Sequence, residues 1–305
     1  MVAWNLQSQN ASFLPTIEAL NDSVALQPQN ANGGLWYYNN INNLTAYQNL
    51  SYLDGMYSYA PYITIQSQLS NSSSEALASL EAAVEQIQLL HDICVRPSGL
   101  LVHGYDAIKA HSWANETSGA SPEVWGRSLA WYTLALLNTL EIAKQIPGLE
   151  DAEAYCTLRS LFRETVKAQV KAAEQGKVVT NSSGVWQVVD RPGEAGNFIE
   201  ASSSFMTVYS LLRGRRMGLL DDVAEEMRNQ ASRAHTVAAE MYASVSQRYL
   251  ITYANGSLSL NGTSSVASLS PQNVSYEYYV TRPTELDSLL GTSAFALASY
   301  EMGKL

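Results

Sequence analysis

The apolar residues of this chain recur mainly at three- and four-residue intervals, the spacing of amphipathic helices, and polar loops separate the helical stretches. Ser72 to Glu75 has the form of a capping box before such a stretch. Ser121-Pro122-Glu123 has the residues of a helix start, and it would place Arg127 and Trp131 on one face of the following helix. Gly176 has the position of a residue just past a helix end. The pattern predicts about eight helices, at residues 3–27, 53–69, 72–94, 121–146, 149–175, 200–217, 220–243 and 287–302.

Two regions have a different pattern. Residues 185–190 form a short apolar run typical of a strand, and residues 248–281 are rich in Tyr, Thr, Ser and Val with Asn-Gly pairs, which predicts hairpin strands. Helix pairs therefore alternate with loops that hold most of the Trp, His, Asp and Glu residues. This arrangement predicts one all-α domain over residues 1–305, a toroid or solenoid of helical hairpins with short β-hairpins in its loops.

Composition narrows the classes of partner. Of 305 residues, 46% are hydrophobic and 15% charged, enough for a sizeable core, and the net charge is −10 with a pI of about 4.9. Basic residues are few and scattered, which argues against nucleic acid, and no apolar run is long enough to span a membrane. Cys94 and Cys156 could form one disulfide or stay as two thiols, but neither CxxC nor HExxH occurs.

Sequons for N-glycosylation are frequent, which predicts a secreted glycoprotein. The first thirteen residues lack the basic and apolar regions of a signal peptide, so either the signal has been removed or the chain begins late. The sequons are at Asn10, Asn21, Asn43, Asn49, Asn71, Asn115, Asn181, Asn255, Asn261 and Asn273.

Candidate chemistry is concentrated between Gly99 and Trp131, where histidines, tryptophans, carboxylates and an arginine occur close together. Aromatic rings stack on sugar faces and carboxylates catalyse proton transfer at glycosidic bonds, so these residue types favour a carbohydrate-active enzyme. Each residue has a plainer interpretation: the tryptophans as core, Arg127 as an ion-pair partner, His103 as a structural histidine, and Asp54 as a helix cap.

Several short motifs, in order, resemble the unsaturated rhamnogalacturonyl hydrolases, glycoside hydrolase family 105, in a fungal-like version. The resemblance covers nearly the whole chain. It is carried by Gly33-Gly34-Leu35-Trp36, Leu53-Asp54-Gly55-Met56-Tyr57 with Pro61, His103-Gly104-Tyr105-Asp106, Ser121-Pro122-Glu123 with Trp125-Gly126-Arg127 and Trp131, Trp186-Gln187-Val188-Val189-Asp190 with Asn197, Glu200, Ser202 and Met206, and, more weakly, Gly291-Thr292-Ser293-Ala294-Phe295.

The resemblance implies an (α/α)6 barrel and a specific reaction. The implied substrate is an oligosaccharide from a pectin or rhamnogalacturonan lyase, ending in a 4,5-unsaturated galacturonyl residue. Such enzymes hydrate the C4=C5 enol ether and need neither metal nor cofactor. The resemblance makes Asp54 the catalytic acid and base, and it assigns substrate binding to Trp36, His103, Trp125, Arg127 and Trp131.

The chain departs from that family in two ways. Tyr37 stands where many relatives have a histidine, and the predicted helices are fewer than the twelve of a closed barrel, with the deficit upstream of Met1. We therefore expect a shortened chain whose barrel is open at one seam. Two alternatives remain: an endo-glycosidase that pairs Asp54 with Asp106 or Glu123, and an inactive carbohydrate-binding relative. Neither the galacturonyl or glucuronyl preference nor the oligomeric state follows from the sequence.

Overall fold

Helices make up most of the chain, as the spacing predicts, in the computed structural model, which describes residues 11–38, 45–69, 72–220 and 225–304. Within those residues the α-helices are α1 (Leu14–Ala25), α2 (Gly55–Gln66), α3 (Ser73–Cys94), α4 (Gly126–Ala143), α5 (Glu153–Thr180), α6 (Ala201–Arg216), α7 (Glu225–Tyr249), α8 (Tyr276–Val280) and α9 (Leu289–Met302). The strands are β1 (Leu50–Tyr52), β2 (Gly104–Asp106), β3 (Leu250–Thr252), β4 (Leu258–Leu260), β5 (Thr263–Ser264) and β6 (Thr284–Glu285).

The long helices form two concentric rows. In the inner row, α2 packs on α4, α4 on α6 and α6 on α9. Each of the first three inner helices also pairs with the helix that follows it, α3, α5 or α7, and these form the outer row. A continuous apolar core from Leu53 to Ala298 fills the space between the rows. This is the predicted toroid of helical hairpins.

Among the described residues, the contacts of the inner row run from α2 at one end to α9 at the other. One face of α9 packs on α6, where the ring centres of Phe205 and Phe295 are 5.2 Å apart and Arg216 pairs with Glu301. The opposite face of α9 exposes Leu289 and Tyr300. The open seam and the single domain over residues 1–305 both stay predictions.

Helix α4 begins later than predicted. The predicted start at Ser121 is wrong, because the chain remains extended through Trp125 and the helix starts at Gly126. The extended segment uses its backbone in tertiary contacts: the Glu123 carbonyl accepts from His103 N at 3.2 Å, and the Val124 carbonyl accepts from Val189 N at 3.0 Å. These hydrogen bonds hold the segment against its neighbours and leave it unable to wind into a helix.

The sequence predicts Gly176 just past a helix end. This prediction is wrong, because Gly176 lies inside α5, which continues to Thr180. A Cβ at Gly176 would lie 3.0 Å from the Trp186 indole nitrogen, so glycine permits this close approach. The last helical residue is Thr180. The next residue, Asn181, adopts the left-handed conformation (φ 55°) that is common after a helix C-terminus.

The strand predictions are correct only in part. β3 and β4 form an antiparallel hairpin around Asn255-Gly256, as predicted. The predicted strand at 185–190 makes only isolated bridges, through Trp186 and Val188. The last part of the predicted hairpin region, Tyr276–Val280, is instead the short helix α8, capped by the Ser275 side chain. By contrast, the predicted cap at Ser72 is confirmed, since its hydroxyl accepts from Glu75 N.

Two further sequence observations have structural counterparts. Cys94 is a buried free thiol and Cys156 an exposed one, so they do not form a disulfide. None of the described helices combines the length and apolar character that crossing a membrane requires. The predicted helix residues 3–10 and 221–224 lie outside the described residues.

The antiparallel pair β1–β2 fixes the geometry that matters for chemistry. Tyr52 pairs with Gly104, and Leu53 N donates to the His103 carbonyl at 3.1 Å. A Cβ at Gly104 would lie 2.3 Å from the Ser51 carbonyl oxygen, so this strand contact requires glycine. The pairing places Asp54, two residues after β1, beside His103, the residue before β2.

We predict that Gly104→Ala lowers the free energy of unfolding by roughly 1–3 kcal/mol, because a methyl group forced against backbone must push the strands apart. Denaturant titration followed by circular dichroism measures the loss. Gly303→Ala is the matched control, because a Cβ there meets only atoms at 3.5 Å or more and φ is −72°. Equal stability of Gly104→Ala and wild type would contradict the close approach.

Candidate active site

Asp54 and His103 form a buried pair at the inner row of helices. Asp54 immediately precedes α2, and its Oδ2 lies 3.4 Å from Nε2 of His103. The His103 side chain is 0% exposed and that of Asp54 is 15% exposed, so Asp54 is the member of the pair that a ligand can reach. Asp54 makes no capping hydrogen bond to α2, which leaves its carboxylate directed toward the loops. The predicted site residues Asp54 and His103 are therefore neighbours.

Ser128, in the first turn of α4, contacts both members of this pair. Its hydroxyl donates to Oδ2 of Asp54 and also lies 3.2 Å from the His103 carbonyl oxygen. Burial by itself would raise the pKa of Asp54, but the interactions with His103 and the hydrogen bond from Ser128 outweigh it and hold the pKa below its ordinary value. Asp54 is therefore a carboxylate at neutral pH in the free protein.

An aromatic wall surrounds His103. The ring of Trp125 lies 4.7 Å from the imidazole, and the ring of Tyr52 lies 5.1 Å away in an edge-to-face arrangement. On the remaining side, the Tyr279 hydroxyl lies 2.8 Å from Nδ1. Trp125 is almost fully buried, and its indole N–H donates to Gln187. The predicted residue Trp125 thus supports His103 from within the protein.

Arg127 is buried and bonded internally. Its guanidinium lies 4.6 Å from the Trp125 ring centre and 3.3 Å from the Glu200 carboxylate. It also donates to the carbonyl oxygens of Ser264 and Ser265, each at 2.8 Å. With the residue 1% exposed, a direct bond to a ligand would require the segment at 264–265 to move. The binding role predicted for Arg127 stays a prediction.

Trp131 lies one turn beyond Arg127 on α4 and remains partly exposed. Its ring centre is 4.4 Å from that of Tyr57 on α2, so the two rings form an aromatic surface across neighbouring inner helices. The substrate contact predicted for Trp131 stays a prediction.

Trp36 lies in a different part of the site region. It lines a cavity of about 330 Å³ between α1 and α2, together with Tyr37, Tyr52 and Met56. Its indole nitrogen is buried and has no hydrogen-bond partner within the described residues. Burial, and then the nearby charge of Asp54, raises the pKa of Tyr37. Gly55, the residue after Asp54, also lines this cavity, whereas Asp54 itself does not.

The other candidate carboxylates have structural partners. Asp106 is 0% exposed and accepts hydrogen bonds from three backbone N–H groups and from His111 Nδ1, at 2.8 Å. Glu123 pairs with Arg191 at 3.0 Å. Glu200 caps α6 by accepting from Ser203 N at 2.7 Å, besides its pair with Arg127. Among the described residues, these groups serve the fold, and of these four carboxylates Asp54 has the most exposed side chain, at 15%.

Sequence reasoning missed two residues of the site, Ser128 and Tyr279. Ser128 directly follows the Trp-Gly-Arg motif, but only the true start of α4 at Gly126 directs it to Asp54. Tyr279 lies in a segment predicted as strand. The signal that could have placed it is Ser275, whose side chain accepts from Tyr278 N as a helix cap.

Comparisons with known proteins agree with this architecture. The chain belongs to Glycosyl Hydrolase Family 88, whose model matches residues 1–305, and it is therefore a glycosidase. A 24.9 kDa protein in the picA locus of Rhizobium radiobacter is 31% identical over 228 residues, covering 73% of this chain and 90% of that protein.

Solved structures give the same fold. A family 105 glycoside hydrolase from C. acetobutylicum matches 100% of this chain and 77% of its own, with a TM-score of 0.81 and 25% identity. An unsaturated glucuronyl hydrolase from Bacillus sp. GL1 matches 89% of this chain and 63% of its own, with a TM-score of 0.52 and 14% identity. The second likeness is one of fold alone.

Proposed function

We propose that this glycosidase removes a 4,5-unsaturated galacturonyl residue from the oligosaccharides that pectin or rhamnogalacturonan lyases release. The observation that carries the proposal is the Asp54–His103 pair, in which a reachable carboxylate is held by two buried neighbours at the inner row of helices. Family membership and the similar family 105 and glucuronyl hydrolase structures support the unsaturated uronide as substrate class. The proposal includes a preference of the enzyme for galacturonyl over glucuronyl residues.

Hydration of the enol ether needs one group that changes its protonation state. In the proposed reaction, protonated Asp54 gives its proton to C4, and a water attacks C5 while the resulting carboxylate takes a proton from that water. Asp54 thus returns to its protonated form, and the C5 hemiketal opens and releases the neighbouring sugar. His103 and Ser128 hold Oδ2, so the carboxyl stays oriented through both steps.

Aromatic rings and one cation are available for binding the sugar. In our proposal Trp131 stacks on a sugar face, and the Trp36 ring forms part of the wall of the cavity beside α2. His103 and Trp125 form the buried wall behind Asp54, and Arg127 adds positive charge behind that wall. A protein whose net charge is −10 needs a local positive group to bind an anionic uronate, and in our proposal Arg127 is that group.

The alternatives can be separated by their products. An endo-glycosidase would need a second free carboxylate near Asp54, but Asp106 and Glu123 are engaged elsewhere in the described structure. An inactive relative would bind the unsaturated sugar without turnover.

We further propose that the protein is secreted and glycosylated, because the sequons at Asn115, Asn181, Asn255, Asn261 and Asn273 are exposed.

We predict that Asp54→Asn abolishes turnover, a loss of at least about 10²-fold, because the amide can neither donate nor take the proton. The assay follows the loss of ultraviolet absorbance of the conjugated double bond in lyase-digested rhamnogalacturonan. Asp92→Asn, an exposed position with a 63% exposed side chain, is the matched control and should retain wild-type rates. An active Asp54→Asn enzyme would remove Asp54 from its role.

The pH dependence gives an independent prediction. Because Asp54 must be protonated to act and its pKa is held low in the free protein, kcat/KM should fall as pH rises above that pKa. A bound uronate brings a second negative charge, which raises the pKa of Asp54 in the complex. We therefore expect the fall in kcat to occur at higher pH than the fall in kcat/KM, measured by initial rates across pH.

The methyl ester of the same unsaturated substrate is the control for this pH prediction. Because the ester lacks the substrate's negative charge, the fall in kcat and the fall in kcat/KM should occur at closer pH values. A kcat/KM that instead rises with pH through the acid range would show that the ionised form of Asp54 is the active one, and it would exclude Asp54 as the proton donor to C4.

A further inference from the structure

Tyr279 lies behind His103, where the proposed reaction assigns it no role. It is on the short helix α8, it is fully buried, and its hydroxyl lies 2.8 Å from Nδ1 of His103. The other ring nitrogen, Nε2, lies 3.4 Å from Oδ2 of Asp54. One imidazole therefore bridges a phenol and the candidate catalytic carboxylate.

The two contacts favour the same tautomer of His103. Among the described residues, Nδ1 is the hydrogen-bond partner found for the Tyr279 hydroxyl, so a hydroxyl that donates to Nδ1 leaves no buried hydrogen unsatisfied. The proton of neutral imidazole then lies on Nε2, which is 3.4 Å from Oδ2 of Asp54 but makes no aligned hydrogen bond within the described residues. The opposite tautomer would leave the phenol hydrogen without an acceptor and turn a lone pair toward a negative charge.

The surroundings keep Tyr279 in place. Its backbone carbonyl accepts from Gln187 Nε2 at 3.0 Å, and the other end of the Gln187 amide accepts from Trp125 Nε1 at 3.2 Å. The Trp125 ring contacts both His103 and Tyr279, with centre distances of 4.7 and 6.0 Å. The phenol is therefore fixed by the same residues that pack against the imidazole.

We propose that Tyr279 is a positioning residue for the hydration reaction: by donating to Nδ1 of His103 it fixes the Nε2–H tautomer that faces Asp54. The proposal rests on the proposed function for its effect on rate, while the tautomer itself can be measured without turnover. In this arrangement Tyr279 sets the proton affinity of Asp54 through His103 and touches neither substrate nor the reacting atoms.

Removing the phenol hydroxyl has a defined consequence. His103 is then free to carry its proton on Nδ1, and Nε2 can accept a hydrogen bond from protonated Asp54. That change favours the protonated acid, which the first step requires, and weakens the carboxylate form. The pH at which kcat/KM falls should therefore move upward.

Other ionisable groups near Tyr279 are few. Tyr52, Tyr278, Glu123 and Asp54 each act on it electrostatically. Tyr52 titrates far above the range of the assay because burial raises its pKa. Burial also raises the pKa of Glu123, and the charge of Arg191 partly offsets that rise. Because Glu123 is paired with Arg191 in wild type and variant alike, its titration is common to both profiles.

The test compares Tyr279→Phe with Tyr276→Phe in the full chain. Tyr276 is on the same short helix, is also buried, and donates to the Ala195 carbonyl at 3.0 Å rather than to His103. Nitrogen-15 NMR of the histidine side chains reports the tautomer directly, and His103→Gln identifies the His103 signals by their loss. Rates across pH are measured for the same proteins, with circular dichroism melts to confirm that each variant folds.

We expect a neutral Nε2–H imidazole in wild type and in Tyr276→Phe, and a changed tautomer in Tyr279→Phe. We expect the fall of kcat/KM to move upward by about one pH unit in Tyr279→Phe only. An Nδ1–H imidazole in the wild type, or an unmoved profile in folded Tyr279→Phe, overturns the proposal. If the tautomer changes as expected but wild type does not hydrate unsaturated uronides, the assigned function fails while the control of His103 by Tyr279 stands.

Discussion

The antiparallel pairing of β1 with β2 is the contact on which the site depends. Asp54 and His103 are far apart in the sequence, but His103 directly precedes β2 and Asp54 follows β1 by two residues. The backbone bond from Leu53 to the His103 carbonyl extends the pairing to the residues themselves. Because Gly104 has no side chain, the strands approach closely enough for the carboxylate and imidazole to meet. A loop contact between two helical hairpins thus creates the acid–base pair of an otherwise helical protein.

A buried ion pair holds the elements around this contact. Arg127 at the start of α4 pairs with Glu200 at the start of α6, and both also bond to the segment around Ser264. A buried ion pair stabilises a fold only when the remaining hydrogen-bond donors and acceptors of both side chains also have partners. Here serine hydroxyls and backbone groups are those partners. The same α4 turn presents Ser128 to Asp54, so the ion pair and the active-site hydrogen bond are fixed together.

The helical part of this architecture follows from the sequence because burial of apolar stripes every three to four residues determines it. Asp54 and His103 are identified through short motifs, and their contact agrees with the fold. The tertiary contacts are harder to predict. The segment at Ser121 has the residues of a helix start but uses its backbone to pair with neighbouring loops, and Gly176 looks like a helix end but makes room for Trp186. Tyr279 was missed because its segment has strand-like composition, while a side-chain cap at Ser275 makes it helical.

In the proposed reaction this chain adds water across the C4=C5 bond of an unsaturated uronide and does not attack the glycosidic carbon. Turnover in D₂O, followed by proton NMR of the released uronyl product, tests it directly. Our account predicts one deuterium at C4, delivered from solvent through the carboxyl of Asp54, and loss of the C4 vinyl proton signal. A released uronyl product that keeps its double bond and carries no deuterium at C4 would contradict it.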